Sequence, residues 1–226
     1  MIIDLPDTVW RLPLEDPAAA VQEYAAIADQ LRGGTGAHAD LEAAATEAVD
    51  TALQAGALLL AVVAPPNAAP AILTAVPLPG VSNAHNPRVP LSAPASPAPG
   101  PRESRVRPPR VTASCTSAWD AQALRDSVEN VGGPDVRETL VVDTELGQAV
   151  IVQRVPGAEQ VRAGRPLALQ LQAFIPADVR LLLTLACGSA HGWDAHQLLF
   201  CQVVRSVRAE PAPADEESFE NHTYRL

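Results

Sequence analysis

Lysine is absent from this chain: all 16 basic residues are arginine. With alanine and proline heavily used, that is the codon signature of a very GC-rich genome, so part of the alanine content reflects mutation bias rather than selection for helix. Aromatic residues are also scarce, at 4%. A secretory leader is not expected, because Met1-Ile2-Ile3-Asp4-Leu5-Pro6-Asp7 has neither a basic flank nor an apolar stretch. The longest apolar run, Ala55 to Ala64, has ten residues, well short of the roughly 20 that cross a bilayer as a helix. A cytoplasmic protein without membrane insertion is the expectation. Cysteine is limited to Cys115, Cys187 and Cys201, an odd number without metal-ligand spacing. These read as reduced and mostly buried thiols. Phosphate loops, paired zinc histidines and nucleophile elbows are missing as well, so neither a cofactor nor a metal is expected.

What is present is apolar and acidic. Apolar residues make up 47% of the 226, enough to fill a core, and the net charge is −10 with a pI near 4.9. That charge repels phosphate, which argues against nucleic acid and anionic membranes as partners of the whole molecule.

The N-terminal part opens with a helix over 17–32, with Asp16 as cap, Pro17 in the first turn and Gly33-Gly34 beyond its end. Val21, Tyr24, Ala25, Ala28 and Leu31 form one stripe. A second helix, capped by Asp40 and ending near Gly56, makes a helical hairpin with the first. Leu58 to Val63 and Ile72 to Val76 then read as two strands around Pro65-Pro66-Asn67, closing an N-terminal unit over 1–77. Composition shifts at Leu78. Nine prolines and five arginines against one glutamate fall between Leu78 and Arg110, the pattern of a linker or long loop partly extended as polyproline II. After Arg208 the acidic residues Glu210, Asp215, Glu216, Glu217 and Glu220 outweigh Arg225, and the tail over 209–226 reads as disordered.

Between these stretches, 111–208 reads as antiparallel strands with a closing helix. A short helix from Trp119 to Val128, with Ser117 as cap and Trp119, Leu124 and Val128 as its apolar contacts, precedes a hairpin of Thr139 to Thr144 and Gln148 to Val155. Gly147 takes the left-handed position of its loop. Two strands follow, Leu167 to Ile175 alternating in polarity and Arg180 to Cys187, and then a helix from about Gly192 to Val207 with Trp193, Phe200, Val203, Val204 and Val207 on one stripe. The fold class is therefore α+β, an antiparallel sheet flanked by helices. Its four C-terminal strands can be completed by the two N-terminal ones, which would make 78–110 an excursion from one domain rather than a boundary between two.

Four candidate groups stand out. Ser189, His191, Asp194 and His196 cluster beside Cys187 at a strand-to-helix turn, where binding groups often sit. The two histidines are five apart, which puts them on different helix faces, and no acidic third ligand stands at metal spacing. His191 is expected to hydrogen-bond the turn, and His196 to pack beside Phe200. Second, Gly34-Thr35-Gly36-Ala37-His38-Ala39 formally matches a dinucleotide fingerprint, but a helix precedes it where that chemistry needs a strand. It reads as a loop. Third, Arg102, Arg105, Arg107 and Arg110 make a basic run without the interleaved aromatics that stack on bases, so it reads as a solvated contact for the acidic tail or an acidic partner. Fourth, Trp10, Trp119 and Trp193 each open an element and read as core or edge anchors. Glu15-Asp16 and Glu216-Glu217 are a cap and a tail rather than acid/base machinery.

From Thr139 onward, a hairpin, an alternating strand ending in Ile175-Pro176, an apolar strand at Leu181 to Cys187 and a Trp-led helix with Leu199-Phe200 and Ser206-Val207 follow one another. This order resembles the LpqN/LpqT family of actinobacterial proteins and the wider PsbP-like α/β/α sandwiches, over roughly 70 of the 226 residues. The resemblance implies a sheet flanked by helices and a binding or scaffolding role, with no catalytic residues to transfer. Family members are often lipoproteins, but this chain has no lipobox cysteine near its start, so an envelope location does not carry over. The expected function is a non-enzymatic adaptor or assembly component that binds other proteins, with homo-oligomers among its partners. A structural subunit of a larger particle or secretion apparatus, and a small enzyme or ligand-binding protein using the Cys187 to His196 turn, are the alternatives.

Overall fold

The computed structural model describes residues 1–33, 38–78, 119–157, 168–177 and 179–210. The glycine loop at 34–37, the arginine run with Cys115 and the acidic tail beyond Glu210 lie outside the described residues. Among those described there are seven strands and four helices in the order β1 (Val9–Arg11), α1 (Pro17–Leu31), α2 (His38–Gln54), β2 (Leu59–Val63), β3 (Ala71–Pro77), α3 (Ala121–Val131), β4 (Val136–Thr144), β5 (Gly147–Arg154), β6 (Leu169–Ile175), β7 (Leu181–Cys187) and α4 (Trp193–Arg205). The strands form one antiparallel sheet in the order β1-β2-β3-β7-β6-β5-β4. The two halves of the chain meet at its centre, where β3 pairs with β7 over seven rungs from Ala71↔Cys187 to Pro77↔Leu181. The N-terminal strands thus complete the C-terminal sheet.

Side-chain alternation assigns each residue to a face. On one face Leu73, Leu171, Leu183 and Leu185 meet Phe200, Val203, Val204 and Val207 of α4 in the largest core cluster. On the other face the α1–α2 hairpin packs Ala20, Val49 and Ala52 onto Leu60 and Val62, while α3 packs Ala121, Leu124 and Val128 onto Val150 and Val152. Strand β2 has a helix on each side, so all five of its residues are buried, which is why its sequence is a continuous apolar run. Strands β6 and β7 alternate between buried and half-buried. Their second face lies between the α1–α2 hairpin and α3.

Local chemistry sets the helix ends. The Asp16 carboxylate accepts from the Ala19 N–H at 3.1 Å, as its spacing predicts. Helix α2 begins at His38, ahead of the expected Asp40 cap, and Asp40 lies in its first turn, where its charge complements the exposed N–H groups. Helix α3 is capped by Asp120, which accepts from the Ala123 N–H at 3.0 Å, and not by Ser117, which lies outside the described residues. Trp119 does anchor this helix: its indole N–H donates to the Gln148 carbonyl at 2.6 Å, and the Arg180 guanidinium sits 5.6 Å from its ring centroid. Glu129 accepts from the Thr139 hydroxyl and pairs with Arg125 at 2.9 Å, and these two contacts hold its carboxyl below the usual range.

The N-terminal segment is laced to the end of α4. Ile2 and Arg208 exchange backbone hydrogen bonds of 3.0 and 3.1 Å, Ser206 Oγ donates to the Asp4 carbonyl, and Arg208 pairs with the Asp4 carboxylate. None of the described helices is long and apolar enough to cross a membrane.

Candidate functional site

Two regions at opposite ends of the sheet merit comparison. The first is the polar turn between β7 and α4. Cys187 ends β7 buried, with its thiol 3.1 Å from the Ser189 carbonyl and 3.5 Å from the Pro70 carbonyl. The Ser189 hydroxyl accepts from the His191 N–H at 3.1 Å, and the His191 carbonyl accepts from the Ala69 N–H at 3.0 Å. His191 therefore bonds the turn through its backbone, while its side chain is exposed. Asp194 is also exposed, in the first turn of α4.

His196 points the other way. It is fully buried, with Nδ1 3.1 Å from the Gly192 carbonyl and its ring stacked on Trp193 at 6.0 Å between centroids. Its Nε2 and the Trp193 Nε1 find no partner among the described residues. A reactive site needs Cys187, His191, Asp194 and His196 around one pocket. Here Cys187 and His196 face the core, and His191 and Asp194 face solvent. Among the described residues no group of three or more His, Cys, Asp or Glu is placed to hold a metal ion.

The turn is tightly built. Gly192 has φ +70, and a Cβ placed there would lie 2.3 Å from the Ala68 Cβ and 2.8 Å from the Asn67 carbonyl oxygen. Replacing Gly192 with alanine combines a left-handed backbone, worth about 1–2 kcal/mol, with that collision. A loss of about 2–4 kcal/mol is expected, measured as the change in urea unfolding free energy. A change below about 0.5 kcal/mol would show that the β2–β3 turn does not pack here.

The thiols give a second check. Burial pushes the Cys201 thiol up, with partial opposition from Arg205, whereas Cys187 is fully enclosed. With Cys115 replaced by serine, Cys201 is expected to alkylate more slowly than a free thiol at neutral pH and to accelerate as pH rises, because the thiolate is the nucleophile. Cys187 is expected to react only on unfolding. Equal labelling of both in the folded chain would contradict the packing of β7.

The second region is a groove of about 680 Å³ at the opposite end of the sheet, where strand ends from both halves converge. Leu58 precedes β2, Pro77 ends β3, Pro176 follows β6, Val179 precedes β7, Leu181 opens it, and Leu146 lies in the β4–β5 turn. Leu58 is 54% exposed and Val179 58%. Among the described residues two charges rim the groove, the Met1 ammonium and the Glu210 carboxylate, paired at 3.1 Å. Sequence patterning did not point here, because Leu58, Pro77, Leu146, Pro176 and Val179 each read only as the end of a strand or part of a turn.

Comparison with known proteins returned no match: no family model, no curated protein and no solved structure aligns with this chain.

Proposed function

We propose that this chain is a non-enzymatic protein-binding component of an assembly, and that it seats an apolar side chain of a partner protein in the groove at the sheet end. The groove carries this reading. Among the described residues it is lined mainly by Leu, Val, Pro and Met and rimmed by one ion pair. Such a surface suits an aliphatic or aromatic anchor projecting from another protein. Covering the exposed parts of Leu58 and Val179 is worth on the order of 2 kcal/mol. The divided Cys187 to His196 turn offers less to an enzyme reading. A cytoplasmic setting and the LpqN/LpqT-like binding role belong to the same proposal.

A photocrosslinking residue placed at Val179 in the full chain, expressed in its native host, is expected to give one or a few discrete protein adducts. These should disappear when Leu58→Asp is added, with circular dichroism confirming that the variant folds. A probe at Leu198, exposed on α4, should not form them. Absence of an adduct at Val179, or adducts indifferent to Leu58→Asp, would overturn the reading.

A further inference from the structure

The sheet has two edges of unequal character. Strand β1 closes one edge with three residues, which leaves little backbone to pair. Strand β4 closes the other with nine, including β-branched Val136, Thr139, Val141, Val142 and Thr144. An edge of that length is a template for another strand unless something blocks it.

Pairing with β5 fixes which backbone groups are free. Thr144 and Gly147 close the hairpin, and the register runs Val142↔Ala149 and Leu140↔Ile151. Bonding alternates along an antiparallel strand, so Asp143, Val141 and Thr139 turn their N–H and C=O groups away from β5. A bulge between Val136 and Glu138 ends the regular ladder beside Arg137. The flanks are also open. Leu140 is 44% exposed, next to a small pocket it shares with Ile151, Gln197 and Cys201.

We propose that two copies of this chain join edge to edge through β4, antiparallel and centred on Leu140, to make a continuous fourteen-stranded sheet. This inference is independent of the groove at the sheet end. The occupant is a second copy because the strand is self-complementary in charge. Arg137 and Asp143 stand three residues to either side of Leu140. A two-fold axis at Leu140 sets each Arg137 against Asp143 of the other copy, twice per dimer, and brings Thr139 beside Val141. An axis at Thr139 sets Asp143 against Asp135 of the other copy, and an axis at Val141 sets Asp143 against Thr139 and leaves Arg137 facing only Glu145, in the turn beyond the ladder. Arg137 is exposed and makes no ion pair among the described residues. Among the described residues the Asp143 carboxylate accepts only a 3.3 Å bond from the Gln148 amide. The bulge places the Arg137 contact at the end of the ladder, as an ion pair and not a rung. An isologous contact of this kind closes on itself and does not propagate into a fibre.

Sedimentation equilibrium of the full chain tests the proposal. Between about 1 and about 300 µM the average mass should rise from 23.7 kDa toward twice that value. Arg137→Asp alone and Asp143→Arg alone put like charges together and should each weaken dimerisation at least tenfold, with unchanged circular dichroism. The double variant Arg137→Asp/Asp143→Arg restores opposite charges and should dimerise like the parent. A parent that stays monomeric, single variants that dimerise normally, or a double variant that does not recover would each overturn it. Crosslinking from Val179 should be the same in all four proteins, so this inference and the groove reading fail separately.

Discussion

Replacing Phe200 with alanine is expected to lower the unfolding free energy by about 3–5 kcal/mol. Phe200 is fully buried and, among the described residues, the largest fully enclosed side chain. It stands in the middle of the α4 stripe that also carries Leu199, Val203, Val204 and Val207, opposite the sheet leucines. Truncation removes the ring's burial and leaves a cavity that β-strands on one side and a short helix on the other cannot close. Against the roughly 5–15 kcal/mol that stabilises a typical domain, such a loss brings the protein close to unfolding at 37 °C. The measurement is the shift in guanidinium midpoint at constant slope. The same substitution at Leu198, exposed on the same helix, should cost less than about 0.5 kcal/mol. Similar costs at the two positions would mean that α4 does not present this face to the sheet.

A larger effect is expected from Leu183→Asp. Leu183 is fully buried in β7, between Ala75 of β3 and Ala173 of β6. Its neighbours in the described core cluster are apolar, so the charge is either held at a cost of several kcal/mol or neutralised by protonation. The variant should therefore fail to fold near neutral pH and recover partly as pH falls below the raised pKa of the new acid. Thr184→Val is the matching control. It changes the next residue, on the half-buried opposite face, and should shift stability by no more than about 1 kcal/mol. If the two changes cost the same, the face assignment of β7 is wrong.

The legible parts of this fold are those where one local force decides. Asp16 and Pro17 set the start of α1, because a carboxylate that accepts a free N–H and a residue that lacks one are both read directly from sequence. Alternation in Leu169 to Ile175 marked a strand with one buried face, and the stripe from Trp193 to Val207 marked α4. The misplaced cap of α3 shows the limit: Ser117 and Asp120 are both good caps, and which serves depends on where Trp119 bonds to the Gln148 carbonyl. Strand β1 was not anticipated. Three residues between Pro6 and Pro13 carry no periodicity, and β1 exists because β2 pairs with it.

The candidate site followed the same division. His196 was expected to pack beside Phe200 on the helix; it is buried on α4 as Phe200 is, with its ring stacked on Trp193, a partner its spacing did not single out. The groove could not be read at all, since Leu58, Pro77, Leu146, Pro176 and Val179 are brought together only by the strand order.

That strand order is the central claim: residues before and after 79–118 build one sheet through β3 and β7. The direct test is guanidinium unfolding of two single-tryptophan variants, one retaining Trp10 in β1 and the other Trp119 beside β5, each with the remaining tryptophans changed to phenylalanine. These reporters sit at opposite ends of the seven strands, and substitutions at Trp119 and Trp193 shift absolute stability, so each curve is paired with circular dichroism of the same variant. One cooperative sheet predicts that fluorescence and circular dichroism coincide in midpoint and slope within each variant. A Trp10 signal that melts in a transition of its own, while strand signal and Trp119 persist, would contradict it.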